Sequence, residues 1–401
     1  MSLPLEGYRV ADFGWVAAAP IMGGLLADMG AEVIKIESKS RWDTSRFTPD
    51  NTERNPNKDP WFHCINRGKL GITLNLSKPE AIELSKRLIE KSDIVIENFS
   101  PGIMRRYGMD YESLRKLKSD IIMISMSGCG QDGQYSHLVA YGPSLNGLAG
   151  LDSMVGYENE RVLGMQQPFS DFNGPIHGVF AVLAALYHRE KTGEGSYIDL
   201  TQVEALVSVI GEGIMEYTMN GRVPGTMGNS HPTMVPHNNY RCKGDDNWIA
   251  IAIKTAEEWQ AFCQALDNPE WCNDEKFADP YKRFKNRDEL YNLITKWTEQ
   301  HDPNEVMQIM QAKAVAAIPC MDIEDRYLDT HFSEREAFVF VNDPDGDPFV
   351  VTNTPFKMSR TQIAVQKAAP KMGEHNNYVF GDILELDSKE IARLEEDKII
   401  Y

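Results

Sequence analysis

The first forty residues of this 401-residue chain follow a strand–helix–strand order, and no other feature of the sequence constrains the fold as strongly. Residues 8–13 and 31–37 are short apolar runs that predict strands, and residues 20–29 between them predict a helix with proline in its first turn. Strands joined through a helix lie parallel, and a parallel sheet is covered by helices. The segment therefore predicts an α/β architecture.

The same order continues through the first half of the chain. Residues 79–91 predict a helix, and residues 93–97 and 120–126 predict two further strands. We therefore expect a doubly wound α/β sheet whose ligands bind beyond the carboxyl ends of its strands. Near residue 221 the composition shifts to Gly, Pro, Asn and His, which is typical of a loop. These patterns predict a large domain over 1–220, a smaller α+β domain over 221–330, and a return to the large domain over 331–401.

Two helices are predicted around the middle of the chain. Thr201 followed by Glu204 has the spacing of a capping box and predicts the start of a long helix. Residues 174–191 carry apolar side chains at helical spacing, which predicts a helix with one buried stripe. That stripe consists of Ile176, Val179, Phe180, Leu183, Leu186 and Tyr187.

The charge and cysteine content exclude several classes of protein. Lys and Arg number 41 and Asp and Glu 59, so the formal charge is −18. That balance argues against binding to nucleic acid or to an anionic membrane. The six cysteines are scattered without a C-x-x-C pair, so neither a zinc site nor a disulfide framework is indicated. With no signal peptide and no apolar stretch beyond about nine residues, we expect a cytoplasmic location.

Basic side chains follow two of the predicted strands. Lys39, Arg41 and Arg46 come after the second strand, and Arg105 and Arg106 follow the strand at 93–97. On an acidic protein, two such loops at the ligand-facing edge suggest a phosphate-bearing ligand. The same residues are compatible with solvated surface charge, which is the interpretation that this pattern favours when taken alone.

The loops themselves carry small, amide and aromatic residues. The loop after the first strand has the sequence GWVAAAP, which lacks G-x-G-x-x-G and so argues against an NAD-dependent oxidoreductase. Its small residues, including Ala17, let a ligand approach the next helix N-terminus, although plain turn packing explains them as well. Asn98 and Phe99 follow another strand, where they could hold an adenine or a pantetheine chain or form an ordinary turn.

Asp171 lies in the sequence SDFNG just before the predicted helix at 174–191. A carboxylate at that position can cap the helix or act as a nucleophile, and position alone favours the cap. Asn173 could provide the cap and leave Asp171 free. His231 and His237 lie near a glycine-containing loop at 225–231, but no cluster of acidic or cysteine side chains supports a metal there.

Several long motifs resemble the family III CoA-transferases, also called the CaiB/BaiF family. The N-terminal motifs are LEGYRVADF, LLADMGAEVIKIES, NRGKLGITLNLSKPEA and ENFSPGIMRRYGM, and SDFNGPIHGVFAVLAALYHREKTGEGSYIDLTQVEAL resembles the family's catalytic block. Later motifs at 227–232, PHNNYRCKGDDNWIAIAI, AIPCMDIEDRYLDTHFSERE and GEHNNYVF follow in the same order. The resemblance spans essentially the whole chain.

The resemblance implies an enzyme that moves CoA between carboxylic acids. It implies a Rossmann-like large domain, an α+β small domain, and two subunits that form interlocked rings. Asp171 falls at the family's catalytic aspartate, which favours the nucleophile over the cap. The implied intermediates are a mixed anhydride and an aspartyl-CoA thioester on Asp171, with CoA thioesters as substrates and neither a permanently bound cofactor nor a metal. The partner is implied to be a second copy or a related subunit.

The same resemblance carries over the binding residues. The implied CoA contacts are Val16, Lys39, Leu74, Asn98, Phe99, Arg106, Tyr107 and Tyr141. The remaining predicted substrate residues are Ala17, Arg41, Gly228 and Asn229. The family often has a basic residue at position 38, where Ser38 stands here, so Lys39 or Arg41 must supply that charge. Because Ala17 replaces a glutamine of oxalate-handling members, we expect a bulkier, less polar acyl group than oxalate.

The general look of the sequence resembles the branch that acts on aryl- or alkyl-substituted succinates, such as benzylsuccinate in anaerobic aromatic degradation. Succinyl-CoA is then the expected donor. Two alternatives remain. A 2-methylacyl-CoA racemase needs an acid/base pair, but Tyr141 and Gly142 occupy the positions of that enzyme's His-Asp pair. A silent CoA-binding subunit would not need to keep Asp171.

Overall fold

The computed structural model describes residues 2–49, 51–52 and 54–401, and their contacts group them into two compact units. Unit 1 contains the described residues up to Asp152 together with Gly164–Val223 and Glu334–Tyr401. Unit 2 contains Ser153–Leu163 and Pro224–Ser333. The predicted boundaries at residues 220 and 330 stay a prediction about domains, because this grouping does not test independent folding.

The secondary structure follows the predicted strand–helix order. The strands are β1 (Arg9–Asp12), β2 (Glu32–Glu37), β3 (Leu70–Thr73), β4 (Ile94–Glu97), β5 (Ile122–Ser127), β6 (Ser196–Thr201), β7 (His237–Arg241), β8 (Trp248–Ala252), β9 (Ala316–Pro319), β10 (Phe338–Asn342) and β11 (Pro348–Thr352). The helices are α1 (Ala18–Asp28), α2 (Pro60–Ile65), α3 (Pro79–Glu90), α4 (Ile103–Arg106), α5 (Tyr111–Leu117), α6 (Gly142–Ala149), α7 (Phe169–Thr192), α8 (Gln202–Val207), α9 (Gly211–Asn220), α10 (Ala256–Ala265), α11 (Pro280–Lys285), α12 (Arg287–Thr298), α13 (Pro303–Gln311), α14 (Ile323–Leu328), α15 (Thr330–Glu334) and α16 (Ser388–Glu396).

Unit 1 is built on a six-stranded sheet in the order β3-β2-β1-β4-β5-β6. Every neighbouring pair in this sheet is parallel. The strand order reverses at β1, because β1 pairs with β2 on one side and with β4 on the other. The predicted α/β fold with a parallel doubly wound sheet is therefore confirmed, and its switch point lies between β1 and β4.

Both faces of the sheet are buried at its central strands, which explains why β4 and β5 are nearly continuous apolar runs. Val10, Ile94 and Ile122 pack into one apolar cluster with α1 and α7 residues. Their chain neighbours Ala11 and Val95 belong to a second cluster, which includes side chains of α3 and α16. Successive residues of a strand point to opposite faces, so the split between clusters shows helical cover on both sides.

Helix α7 departs from its prediction in two respects. It begins at Phe169 and continues through Pro175, so Asp171 lies in its first turn instead of before it. Its buried face consists mainly of small residues such as Gly174 and Gly178, which let the helix approach the sheet closely. The predicted buried stripe is wrong for most of its members, because their side chains are exposed in the single chain. The exposed fractions are 62% for Ile176, 75% for Phe180, 38% for Leu183 and 65% for Tyr187.

The predicted long helix after Thr201 is also interrupted. Helix α8 ends at Val207, a 3-10 turn follows, and α9 begins at Gly211. Thr201 stands at the N-cap position but its side chain makes no capping hydrogen bond. The S/T-x-x-E spacing therefore located the start of the helix without forming a capping box. In contrast, Thr255 and Glu258 do form one at the start of α10.

Unit 2 contains the antiparallel sheet β7-β8-β9 and the helices α10 to α14. Its own apolar core includes Phe262, Phe277 and Ile294. In unit 1, β10 and β11 form an antiparallel hairpin whose turn has the sequence DPDGD and is fixed by Asp343, which accepts hydrogen bonds from the backbone N–H groups of Asp345 and Asp347. Among the described residues, no helix combines the length and apolar character that a membrane crossing requires.

Candidate functional site

A cavity of about 210 Å³ lies in unit 1 where the loops after β1 and β4 meet the first turn of α7. Its lining includes Val16 and Ala17 from the first loop, Phe99 from the second, Tyr141 before α6, and Asp171. This is the switch point of the sheet, where open α/β folds bind their ligands. Five of the predicted site residues, together with Asn98, are thereby brought together.

The loop after β1 is held in a conformation that most residues avoid. Val16 has a φ of +67°, a left-handed conformation that is unfavourable for a β-branched residue. Its backbone N–H donates to Asp43 over 3.1 Å. Asn98 holds the preceding residue, Trp15, by accepting from its N–H and donating to its carbonyl oxygen, each over 2.8 Å. Such strain persists only where the surroundings fix it, and it is common at active sites.

Two buried ion pairs hold the loop after β1 in place. Lys35 donates to Asp43 over 2.9 Å and Lys69 donates to Asp12 over 2.6 Å, and all four side chains are fully buried. Asp12 also accepts from the Gly14 N–H, and Lys35 donates to the Gly14 carbonyl oxygen. Burial alone would raise the pKa of Asp43, but the adjacent Lys35 ammonium holds that pKa below its ordinary value. These pairs fix the position of the loop.

Asp171 differs from these carboxylates because nothing pairs with it. Among the described residues, no cation and no hydrogen-bond donor contacts its carboxylate, and burial raises its pKa to about 6. A carboxylate with that pKa is still mostly ionised at neutral pH and is a stronger nucleophile than an ordinary aspartate. The cap is also not its role, since α7 has no side-chain cap at all. Asn173, the alternative cap, instead donates to the Ala205 carbonyl oxygen over 2.7 Å.

Gly142 places the start of α6 directly against this carboxylate. A Cβ added at Gly142 would lie 2.8 Å from Asp171 Oδ2 and 2.2 Å from the Cβ of Pro168. Only a glycine allows this approach. The first turn of α6 therefore borders the carboxylate from one side, while Asp171 itself belongs to the first turn of α7.

A larger groove of about 540 Å³ shares residues 98–100 with the cavity. Its lining contains the predicted residues Arg41, Leu74, Arg106 and Tyr107, and also Trp15. The Arg41 guanidinium lies over the Trp15 ring at 4.9 Å from its centroid. Neither arginine is paired with a carboxylate of the described residues. The groove thus combines free positive charge with aromatic surface.

Two residues of the basic loop do not face the groove. Lys39 is exposed and its ammonium lies over the ring of Tyr401, whereas Arg41 lines the groove. Arg46 is fully buried, forms two hydrogen bonds to Glu37 and stacks on Phe62. The interpretation of Arg46 as a ligand-facing charge is wrong, because its guanidinium is buried and hydrogen-bonded to Glu37.

The remaining predicted residues, Gly228 and Asn229, lie in unit 2 and line a recess formed there with β7, β8 and β9. Gly228 has a φ of +58°, and an added Cβ would lie 2.8 Å from the ring of Tyr157. The Asn229 carbonyl oxygen bonds His237 Nδ1 over 2.7 Å. His231 Nδ1 accepts from two backbone N–H groups. In the described part of the chain, no group of three His, Cys, Asp or Glu side chains is placed to hold a metal.

The cavity residues that the sequence analysis did not predict include Ser127, Gln202 and Gly142. Ser127 is the last residue of β5 and Gln202 the first of α8. Position at the carboxyl end of a predicted strand was a usable signal for Ser127. Nothing in the sequence pattern distinguishes Gly142 from other glycines.

Comparison with known proteins identifies the family. Residues 5–376 match the model for "CoA-transferase family III". A succinyl-CoA–D-citramalate CoA-transferase of Chloroflexus aurantiacus is 30% identical, with 99% of this chain and 98% of the relative aligned. The α subunit of a succinyl-CoA–L-malate CoA-transferase of the same species is 32% identical over 99% and 93%. A CaiB/BaiF family protein from Brucella suis has a solved structure with a TM-score of 0.86 and 30% identity, covering 96% of this chain and 100% of that one.

The confirmed resemblance and the cavity now agree. A partly buried carboxylate at the switch point of a parallel sheet, paired with no cation of the described residues, is suited to nucleophilic acyl transfer. The family match covers most of the chain, and both relatives align over nearly their full length. The chain therefore belongs to family III of the CoA-transferases and is an enzyme of that class.

Proposed function

We propose that this enzyme transfers CoA from succinyl-CoA to a short dicarboxylic acid through covalent intermediates on Asp171. The observation that carries the proposal is the Asp171 carboxylate itself, which lines the cavity and is balanced by no described cation or donor. A structural carboxylate would be paired, as Asp43 is with Lys35. The names of the two relatives, which both include succinyl-CoA, support the donor.

The chemistry proceeds in four exchanges at carbonyl carbons. The Asp171 carboxylate attacks the donor thioester, the C–S bond breaks, and CoA leaves as a thiolate while a mixed anhydride forms. The thiolate then attacks the aspartyl carbonyl and expels the donor acid, which leaves an aspartyl-CoA thioester. The acceptor carboxylate displaces CoA to form a second anhydride. CoA finally attacks the acceptor carbonyl and releases Asp171, so no external energy source is consumed.

The groove is proposed to bind the nucleotide and pantetheine portions of CoA. Arg41 and Arg106 supply unpaired guanidinium groups for phosphate, which guanidinium binds well through charge-assisted hydrogen bonds. Phe99 belongs to both the groove and the cavity, so an extended chain can pass from one to the other. Roles for Lys39, Gly228 and Asn229 at the substrate stay predictions from the resemblance.

The acceptor is proposed to be a dicarboxylic acid of about the size of malate or citramalate. The relatives' names include those two acids and no aryl-substituted one. The sequence analysis favoured an aryl- or alkyl-substituted succinate such as benzylsuccinate, in anaerobic aromatic degradation. That acceptor is retained as the competing candidate, and direct competition between malate and benzylsuccinate for CoA decides between them.

We also propose that two copies of this chain associate as interlocked rings. The exposed apolar side chains of α7, at Ile176, Phe180 and Tyr187, are supporting evidence, because a large apolar face on water is unfavourable. A related subunit in place of a second copy is the alternative, as one relative is named an α subunit. Light scattering of the purified chain distinguishes a homodimer from a monomer that requires a different subunit.

We further propose a cytoplasmic location, which is supported by the cysteines, because all six are unpaired.

The covalent step is tested by trapping. The protein is incubated with succinyl-CoA and hydroxylamine, digested, and the peptides are weighed. A hydroxamate at position 171 is expected in the natural protein and is absent from the isosteric variant Asp171→Asn. Asp199→Asn serves as the control, because Asp199 is an exposed carboxylate outside the cavity and accepts a hydrogen bond from the Gln131 N–H. An unmodified Asp171 with several acyl-CoA donors would overturn the proposal, and α-proton exchange without an adduct would indicate a racemase.

A further inference from the structure

Two buried polar side chains that line the Asp171 cavity each carry an oxygen atom without a hydrogen-bond partner among the described residues. Ser127 is 6% exposed and Gln202 is 7% exposed. The Ser127 hydroxyl oxygen and the Gln202 amide oxygen are shielded from solvent, and neither bonds any described residue. Burying such groups unpaired costs free energy, so their presence beside a reactive carboxylate calls for a ligand that pairs with them.

Ser100 and Tyr141 also line the cavity but are exposed, and the remaining polar residues of the lining are bonded within the protein or have a proposed role. Asn98 uses both ends of its amide on the backbone of Trp15. Ser136 donates to the carbonyl oxygen of Gly133 over 3.0 Å. Asp171 is the proposed nucleophile. Apart from these, the lining is mostly apolar or small, so Ser127 and Gln202 form a distinct polar pair.

Rigid elements hold this pair in place. Ser127 ends β5 and is in register with Thr201 of β6, which immediately precedes Gln202. The Cγ of Gln202 lies 3.3 Å from the position that a Cβ on Gly174 would occupy, and Gly174 is one turn beyond Asp171 on α7. The two side chains are thus fixed between the sheet and the helix that carries the nucleophile, as a recognition site requires.

The chemistry of the pair selects the ligand. The Ser127 hydroxyl can donate or accept a hydrogen bond, whereas the unpaired Gln202 Oε1 accepts and only a 180° turn of the amide would present its NH2 group as a donor. No Lys, Arg or His of the described residues lines the cavity. Neutral hydrogen-bonding groups next to a site of acyl transfer suit an oxygen-bearing substituent on the acyl chain, and they make no hydrogen bond to an alkyl or aryl chain.

We propose that Ser127 and Gln202 bind an oxygen substituent of the acyl chain, either a distal carboxylate or a hydroxyl group, while the acyl carbon reacts at Asp171. The inference rests on the proposed transferase function and adds the property that sets its selectivity. It makes short dicarboxylic and hydroxy acids the preferred substrates. From Ala17, in the loop after β1, we expected an acyl group less polar than oxalate. The present inference replaces that expectation, because β5 and α8 supply the polar contacts instead of that loop.

The test compares donors of equal chain length that differ at one position. Hydroxamate formation at Asp171 is timed with succinyl-CoA, 3-hydroxybutyryl-CoA and butyryl-CoA. The natural protein is expected to prefer succinyl-CoA or 3-hydroxybutyryl-CoA over butyryl-CoA by at least about tenfold in kcat/KM. Which of the two oxygen-bearing donors reacts faster identifies the substituent as carboxylate or hydroxyl.

The variants Gln202→Leu and Ser127→Ala remove one partner each. Either change is expected to reduce the preference for the oxygen-bearing donors over butyryl-CoA by about tenfold. Ser136→Ala is the matched control, since its hydroxyl is already bonded within the protein. Gln202→Leu also removes an unpaired buried oxygen, so the ligand-free variant should have a Tm equal to or above that of the natural protein.

Three results would overturn the proposal. An unchanged donor preference in both variants, with Asp171 still trapped, would remove the recognition role and leave the transferase intact. A lowered Tm together with equal loss on all donors would make the pair structural. Absence of trapping from every donor in the natural protein would overturn the transferase and the recognition role together.

Discussion

Unit 1 contains two sets of buried or partly buried charges that differ in one respect. Beneath the loop after β1, Lys35 is paired with Asp43 and Lys69 with Asp12, with both partners fully buried. In the adjacent cavity, Asp171 has no partner among the described residues and its pKa is raised to about 6 by burial. The Lys35 ammonium acts in the opposite direction on Asp43, whose pKa lies below its ordinary value despite burial.

The difference separates charges that fix structure from charges that react. A buried ion pair loses its favourable energy when one partner leaves, so it resists rearrangement. Burying an unpaired carboxylate lowers the free energy of unfolding, but the carboxylate remains free to attack a carbonyl carbon. The paired set holds Gly14 and Val16, which border the unpaired one. The ion pairs that stabilise the fold and the carboxylate that is proposed to react therefore lie close together at one edge of the sheet.

The largest effect on stability is expected from breaking the paired set. Lys35→Met leaves Asp43 buried and unpaired, which should lower the free energy of unfolding by about 3–5 kcal/mol. Urea denaturation at neutral pH measures it. Lys86→Met is the control, because Lys86 pairs with Glu83 at the surface and should contribute less than about 1 kcal/mol. A loss below that control value would mean that the buried pair does not hold the loop.

The unpaired carboxylate should behave in the opposite way, so that its removal stabilises the protein. The folded protein holds the Asp171 proton up to about pH 6, against an ordinary pKa of 3.8. Between these values the folded state binds more protons than the unfolded state, and stability falls as pH rises. Asp171→Asn removes that penalty. It should therefore raise the free energy of unfolding by at most about 3 kcal/mol at pH 8 and by almost nothing at pH 3.5.

Denaturation of the natural protein and Asp171→Asn across this pH range checks the prediction. A variant that is less stable at pH 8 would show that a cation or donor stabilises the carboxylate after all. The comparison between the two sets of charges would then lose its basis.

The approach of α6 to Asp171 can be disturbed without touching any charge. Gly142→Ala places a methyl group 2.8 Å from Asp171 Oδ2 and 2.2 Å from the Pro168 Cβ, so one of them must move. A displacement of about 1 Å at a reacting group lowers turnover by roughly a hundredfold. Gly147→Ala in the same helix is the control, since its nearest neighbour would be Asp152 Oδ2 at 3.7 Å. Equal transfer rates for the two variants would contradict the role given to Gly142.

Much of the fold was predictable from local pattern. The strand–helix–strand start and the apolar runs at 93–97 and 120–126 correspond to β1, α1, β2, β4 and β5, because burial on both faces leaves a clear signal. The apolar stripe of α7 was detected correctly but placed in the wrong environment. Periodicity reveals that a face is apolar, and it carries no information about whether this chain or a partner covers it.

The site was predictable only in part, for a related reason. Asp171 and the groove residues were predicted from the motifs that resemble those of the family III CoA-transferases. The different fates of Arg41 and Arg46, five residues apart, depend on which side chain reaches Glu37 across the sheet edge. Ser127 and Gln202 meet through the pairing of β5 with β6, a contact between residues far apart in sequence. Composition and spacing cannot report such contacts.

Arg41 and Arg46 extend the comparison between paired and unpaired charges to two residues of the same loop. Arg46 is paired with Glu37, and Arg41 is paired with no carboxylate of the described residues. Arg41→Gln removes an unpaired guanidinium from the groove, so KM for succinyl-CoA should rise about tenfold with kcat and Tm unchanged. Arg106→Gln should have a similar effect. Arg46→Gln removes a guanidinium bonded to Glu37 inside the fold, so Tm should fall while KM of the remaining folded enzyme stays the same. Steady-state kinetics with thermal melts separate the outcomes, and a raised KM in Arg46→Gln without loss of Tm would refute the division between paired and free charge.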